Sequence, residues 1–284
     1  MLRTAVSVFL TVFAASLAHA QALDGRLKKI AQTKTIAIAY RADAMPFSFA
    51  ENKTIDGFSI DLCKRVVASI ERQLKLTGLQ IKWVPVTSQS RFDAVAKGSA
   101  DMECGASTIT LTRMKQVDFS SVIFVETTGL LVKAASGLRS LSDMMGKKIA
   151  VVAGTTNERA IEAQLKRRLI SATVAPFKSR DEALAALEDG TADAFASDKL
   201  LLVGAATAAK DPKSLALLPE DLSFEPYGIV LPRGDAAFRL AVNSGLARLY
   251  ATGEVVEVFR RWFEAFGTPP AIIQAAYVLG AIPE

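Results

Sequence analysis

Three arginines stand at the ends of β-rich runs: Arg41 after Tyr40, Arg91 at the close of Thr87-Ser88-Gln89-Ser90-Arg91, and Arg113 after Ser107-Thr108. A guanidinium presents a planar fork that gives a carboxylate two parallel charge-assisted hydrogen bonds, which a lysine ammonium does not match. One such arginine is ordinarily a solvated surface charge. Three at strand exits, each near a hydroxyl, read as anion recognition. Gly154-Thr155-Thr156 precedes a helix expected from Asn157, so its amides and the helix dipole also suit an anion; Thr155 or Thr156 serves equally well as a simple N-cap. Asp198 follows a run ending at Ser197 and precedes a helix from Lys199. It is either another cap or a carboxylate that faces an ammonium group. Together these groups outline a zwitterion.

The elements that must position them alternate in type. Strands are expected over 35–40, 79–84 and 101–105, with helices over 60–76 and 91–97 between them, which is the grammar of an α/β sheet with crossover helices. The pattern restarts with strands 148–152, 173–177 and 192–197 and helices 157–169 and 181–188. A local echo accompanies the repeat: Ala96-Lys97-Gly98-Ser99-Ala100-Asp101 and Glu188-Asp189-Gly190-Thr191-Ala192-Asp193 both end a helix on glycine and enter a strand through Ala-Asp. A chance match of a common turn is the alternative. Long extended runs over 122–133 and 224–231 flank the second unit, as if the chain crosses into a second lobe and returns. Residues 235–266 read as two helices broken near Thr252-Gly253, and the segment from Thr268 onward as an ordered or loose tail. Open α/β sheets bind ligands beyond the carboxyl ends of their strands, so the cleft between the lobes is the expected site.

The N-terminus carries Arg3, an apolar run of about 14 residues that is short of the roughly 20 needed to span a bilayer, and Ala18-His19-Ala20 before Gln21, the pattern of a secretory signal peptide over residues 1–20. Its removal takes one from the 34 basic side chains and none from the 29 acidic ones, so the net charge falls from +5 to +4. It also removes His19, the single histidine, which excludes Ser-His-Asp and Cys-His catalysis and any His-ligated metal. No cofactor or metal is expected. The basic excess is mild and scattered, so nucleic acid is not an expected partner. Cys63 and Cys104, in a chain bound for an oxidising compartment, are expected to pair, with two separate buried thiols as the alternative.

At this point the chain resembles the bacterial amino-acid-binding proteins of ABC transporters, solute-binding protein family 3, and most of all their glutamate/aspartate-binding members. The resemblance covers nearly the whole mature sequence and is most specific over 86–133, in Thr87-Ser88-Gln89-Ser90-Arg91, Glu103-Cys104-Gly105, Arg113, Phe119-Ser120 and Ile123-Phe124-Val125; Pro46-Phe47-Ser48 and Gly57-Phe58-Ser59-Ile60-Asp61-Leu62 match as well. It implies the type II two-lobed periplasmic-binding-protein fold, with lobe 1 over 21–127 and 228–284, lobe 2 inserted over 128–227, and two crossing hinge strands. It further implies that Arg113, Thr108 and the amides of Thr155 and Thr156 hold an α-carboxylate, that Asp198 holds the α-ammonium, and that Arg41, Ser88 and Arg91 meet a side-chain carboxylate. Two positions depart from the pattern: Ala106 replaces a usual serine, where a backbone carbonyl remains to serve the ammonium, and Arg180 replaces a usual histidine, adding positive charge to the second-lobe wall. The implied partners are L-glutamate or L-aspartate and an inner-membrane ABC permease, with a monomeric protein in the periplasm. The rivals are a periplasmic dehydratase-type enzyme on the same fold, for which Glu103 is the one acid near the site, and a module that presents its ligand to a sensor.

Overall fold

The structure is a computed structural model, and it describes residues 23–283; the expected signal peptide lies outside the described residues. Two sheets dominate. In the first, the strand order is Gln80–Val86, Thr35–Arg41, Met102–Glu103, Val230–Pro232, Val117–Phe119. The first three run parallel, because the helices Phe58–Gln73 and Arg91–Ala96 carry the chain back between them, and Val230–Pro232 lies antiparallel to its neighbours. In the second, the order is Thr173–Phe177, Lys148–Val152, Ala194–Asp198, Phe124–Lys133, Leu215–Leu217, again with three parallel strands linked by the helices Thr156–Arg167 and Arg180–Asp189. The strand Ala194–Asp198 is buried along its whole length, as a central strand covered on both faces must be.

The echo read from sequence is a shared piece of geometry. Gly98 and Gly190 both take left-handed backbone, with φ of 82° and 84°, the conformation that ends a helix and that glycine adopts without steric cost. Three residues on, Asp101 donates its amide to the Ala37 carbonyl and accepts the Ala37 amide at 2.7 Å on its carboxylate. Asp193 does the same with Lys148, donating its amide to the Lys148 carbonyl and accepting the Lys148 amide at 2.9 Å. Each aspartate thus pins a strand start to the first of the parallel strands in its own sheet, which makes a chance likeness an insufficient account.

The chain crosses between the sheets twice. Phe124–Lys133 pairs over its first residues with Phe224–Tyr227, in the register Phe124 to Tyr227 and Thr127 to Phe224, and over its later residues with Ala194–Asp198. The run expected over 224–231 divides in two at Gly228-Ile229, where Phe224–Tyr227 leaves the second sheet's neighbourhood and Val230–Pro232 enters the first sheet. Phe124 and Tyr227 are both held in an aromatic cluster of the first lobe: Phe47 lies 4.9 Å from Phe124 and 5.1 Å from Tyr227, and Phe263 lies 5.1 Å from Phe124. The roots of both crossing strands are therefore fixed by packing. The closing segment folds as the helices Ala236–Ala251 and Glu254–Trp262, divided at Gly253 as its position predicts. The tail is ordered: Ala271–Gly280 is a helix whose Tyr277 stacks on Tyr250 at 5.0 Å and donates its hydroxyl to the Ile123 carbonyl beside the crossing. Its apolar face has the helical spacing Ile273 to Tyr277, a short pattern that the preceding Pro269-Pro270 obscures in sequence.

Cys63, on the helix Phe58–Gln73, and Cys104, at the end of the strand Met102–Glu103, form a disulfide that closes a 41-residue separation. In the chain-entropy account such a link stabilises the fold by roughly 4 kcal/mol. It also clips a buried helix to the strand that leads into the cleft.

Candidate functional site

Every expected site residue comes from the carboxyl end of a strand or the turn beyond it. Arg41 ends Thr35–Arg41, Ser88 and Arg91 follow Gln80–Val86, and Ala106, Thr108 and Arg113 follow Met102–Glu103. Thr155 and Thr156 follow Lys148–Val152, Arg180 follows Thr173–Phe177, and Asp198 ends Ala194–Asp198. All are buried except Thr156, which is half-buried. Four arginines with 7% exposure or less are far from the ordinary solvated state of that residue, so each needs a reason.

The two lobes meet here. The Thr108 and Thr156 hydroxyls lie 3.2 Å apart, Arg180 Nη1 donates to Asp43 at 3.3 Å, and Gln89 Nε2 donates to the carbonyls of Ala153 and Lys178 at 3.1 and 3.3 Å. Gly204, on the helix Lys199–Thr207, abuts the Met45 carbonyl so closely that no Cβ fits between them.

Arg41 spends its Nε and Nη2 on Asp43, at 3.0 and 2.8 Å, and its Nη1 has no partner. Arg113 donates Nη1 to the Thr108 carbonyl at 2.7 Å and leaves Nη2 unpartnered. Arg91 and Arg180 each leave Nε unpartnered. Every one of the four buried guanidiniums thus keeps a free N–H, and the Ser88 hydroxyl is buried and free as well. Burial, followed by the Arg180 charge, pulls Arg41 down to about 9; burial, followed by Arg113, pulls Arg91 down to about 10. Burial, followed by Arg159, brings Arg113 to about 10. These three remain cations at neutral pH, crowded together and with N–H groups left unpartnered, which suits an anion. Phe92 contacts two of them: the Arg91 guanidinium lies 4.7 Å from its ring centre and Arg113 4.8 Å, so cation–π attraction helps to hold both.

The acids gather around Asp198. Although Asp198 occupies a helix N-cap, its side chain makes no capping bond; it accepts Asn157 Nδ2 at 3.0 Å instead. Burial, then the nearby Glu225 carboxylate, push it up to about 6. Glu225 accepts the Thr108 hydroxyl at 2.7 Å and the Ser223 hydroxyl at 2.6 Å. Glu126, on the crossing strand, is pushed up to about 8 by burial and then by Asp198. The Thr155 hydroxyl is occupied locally, accepting the Glu158 amide at 3.3 Å and donating to the Val152 carbonyl at 2.7 Å, so it is an N-cap and only its backbone is left for a ligand. Ala106 packs its methyl into the first lobe's core.

Sequence reading missed Asp43, Asn157 and Glu225, while Glu103, which it placed near the site, is found there. Asp43 was within reach: two residues from Arg41 on extended chain, it falls on the same face. Glu103 is buried with its Oε2 accepting the Ser107 hydroxyl at 2.8 Å and its Oε1 unpartnered, and burial raises its carboxyl above the usual range despite Arg91. Glu225 and Asn157 gave no signal, because only the closure of the fold brings them to Thr108 and Asp198.

Residues 36–265 match the family described as bacterial extracellular solute-binding proteins, family 3. The chain belongs to that family. It is 37% identical over 268 residues to the L-glutamate/L-aspartate-binding protein of Pseudomonas aeruginosa, covering 92% of this chain and 89% of that one. It is 32% identical over 255 residues to the glutamate/aspartate import solute-binding protein of Salmonella typhimurium, covering 88% and 84%. Among solved structures, it is similar to the ancestral amino-acid-binding protein AncCDT-1, a precursor of cyclohexadienyl dehydratase, with a TM-score of 0.72 and 29% identity over 84% of this chain and all of that one. The family's two-lobed type II architecture is the one described above. A separate cavity of about 500 Å³ lies behind the crossing strands, between Phe259, Ile273 and Lys199. Its walls are mostly apolar and hold none of the four arginines, so it is not the place where this chemistry gathers.

Proposed function

We propose that the protein captures an acidic amino acid, L-glutamate or L-aspartate, between its lobes in the periplasm and delivers it as a monomer to an ABC permease of the inner membrane, without chemical change to the ligand. The observation that carries this reading is the convergence of four buried arginines, each with an unpartnered N–H, on a cleft whose walls also hold Asp198 and Glu225. In this reading Arg113, Thr108 and the Thr155 and Thr156 amides hold the α-carboxylate, Asp198 the ammonium, and Arg41, Ser88 and Arg91 the side-chain carboxylate. Lobe 1 takes in residues 21–127 and 228–284 and lobe 2 residues 128–227, so each lobe supplies contacts to one ligand and binding favours their approach. Calorimetric titration of refolded, ligand-stripped protein with glutamate, aspartate, glutamine, arginine and citrate tests it. Tight one-to-one binding of glutamate or aspartate with weak binding of glutamine supports the assignment; preferential binding of glutamine or citrate overturns it.

Two further outcomes follow. Asp198 must be ionised to attract an ammonium, and its carboxyl takes up a proton as pH falls through about 6. Glutamate affinity is therefore expected to be flat above pH 7 and to fall by up to tenfold per unit below 6, measured by titration between pH 5 and 8, with the fall absent in Asp198→Asn. Gly204→Val should hold the lobes apart at the Met45 carbonyl and weaken all ligands by about tenfold, while the melting temperature of the ligand-free protein stays within a few degrees of the parent, since neither lobe's core is touched.

One observation favours a second reading, a dehydratase-type enzyme: Glu103 is a buried carboxyl with a raised pKa beside Arg91 and Arg41, the character of a general acid. Turnover of an arogenate-like substrate by the purified protein, lost in Glu103→Gln, would establish it; no turnover leaves Glu103 as a buried counter-charge to the arginines.

A further inference from the structure

The Asp43 carboxylate joins arginines from both walls of the cleft. It accepts Nε and Nη2 of Arg41 on the first lobe and, at 3.3 Å, Nη1 of Arg180 on the second. Arg180 is the first residue of the helix Arg180–Asp189, and its guanidinium is held across the cleft by this contact, the hydrogen bond recorded for it among the described residues. The consequence is an allocation of donors. Arg41 keeps only Nη1 free and Arg180 keeps Nε, while Arg91 Nε and the Ser88 hydroxyl complete the set.

We propose that Asp43 is a specificity-determining residue that weakens the pocket's preference for a side-chain carboxylate over its amide, by occupying donors of Arg41 and Arg180 and by placing a resident negative charge beside them. This rests on the reading of Arg41 and Arg91 as side-chain readers. Two effects act together. A ligand carboxylate that approaches Arg41 meets a fork already half used and a like charge on its far side, a repulsion that a partly buried site screens poorly. A ligand amide meets the same free N–H groups through its oxygen, and its own NH₂ finds in Asp43 an acceptor that the arginines cannot supply. Asp43 is a fixed anion for this purpose: burial alone would raise its pKa, but Arg180 and Arg41 outweigh burial and hold it below the usual value.

The test is calorimetric titration of the full mature chain with L-glutamate and L-glutamine, for the parent, Asp43→Asn and Arg180→Gln. Asp43→Asn keeps the shape and removes the charge, and the ratio of glutamate to glutamine affinity is expected to rise by about tenfold or more, through tighter glutamate and weaker glutamine. Arg180→Gln, which removes a cation and returns a donor's work to Arg41 alone, is expected to lower the ratio by about tenfold. Equal losses for both ligands in Asp43→Asn would make Asp43 a clip between the lobes and overturn the proposal, as would an unchanged ratio in Asp43→Asn whatever Arg180→Gln does. A parent protein that prefers glutamine sinks the acidic-ligand reading instead, and in that case a raised ratio in Asp43→Asn still stands as support for the role of Asp43.

Discussion

Replacing Arg113 with alanine is expected to weaken glutamate, aspartate and glutamine alike, by on the order of 10² to 10³-fold. The α-carboxylate is common to all three, and loss of one partner from a buried charge-assisted pair costs about 2–5 kcal/mol, much of it the penalty of leaving the other charge unpaired. Arg113 is suited to this role because one of its nitrogens is fixed to the Thr108 carbonyl and its face to Phe92, so the free Nη2 is aimed by contacts that the ligand does not have to make. The fold should tolerate the change. Removing one cation from a group of buried guanidiniums relieves like-charge repulsion, so the ligand-free melting temperature is expected to hold or rise. Calorimetry and a thermal melt on the same sample separate the two outcomes, and a parent-like affinity would exclude Arg113 as the α-carboxylate anchor.

Arg91→Ala is expected to act on only part of the ligand set. Glutamate and aspartate should lose a comparable 10² to 10³-fold, whereas glutamine, whose amide makes no ion pair, should lose about tenfold or less. Arg91, like Arg113, sits against the Phe92 ring; it is the first residue of the helix Arg91–Ala96 and is buried with its Nε free. The contrast between the variants is the informative quantity: Arg113→Ala moves all ligands together, and Arg91→Ala moves the acids away from the amide. Titration of both variants with the same three amino acids reads that contrast, and equal losses for glutamate and glutamine in Arg91→Ala would contradict the assignment.

The α/β alternation was legible because the parallel strands read as short β-rich runs between helical stretches, whether mostly buried like 148–152 or partly exposed like 173–177, and both of these are found with the bounds expected from sequence. The helix-ending glycines were legible because left-handed backbone leaves a residue-type signature. The strands Asp43–Ala44, Ser48–Glu51 and Thr54–Asp56 were not, since each is short and forms a hairpin sheet outside the main pattern. The helix Ala271–Gly280 was not, because the reason it is ordered is tertiary, through Tyr277 against Tyr250.

For the site, the arginines were legible and their counter-ions were not. An arginine at a strand exit already suggests an anion by its chemistry. Glu225 acquires meaning only when the return crossing brings it to Thr108, and Asn157 only when the helix after Thr155 turns it toward Asp198. The ambiguity at the helix starts was resolved in opposite directions by the same kind of observation. Thr155 caps its helix and Asp198 does not cap its own. Nothing in either local sequence separates these cases, because the difference lies in whether a polar partner such as Asn157 reaches the side chain first.

The most direct test of the account is a crystal structure of the mature protein with L-glutamate bound. The account predicts the α-carboxylate on Arg113 and Thr108, the ammonium against Asp198, and the side-chain carboxylate among Arg41 Nη1, Arg91 Nε and the Ser88 hydroxyl, with Asp43 still joining Arg41 to Arg180. Glutamate bound in the reverse orientation, or at the cavity behind the crossing strands, would contradict it.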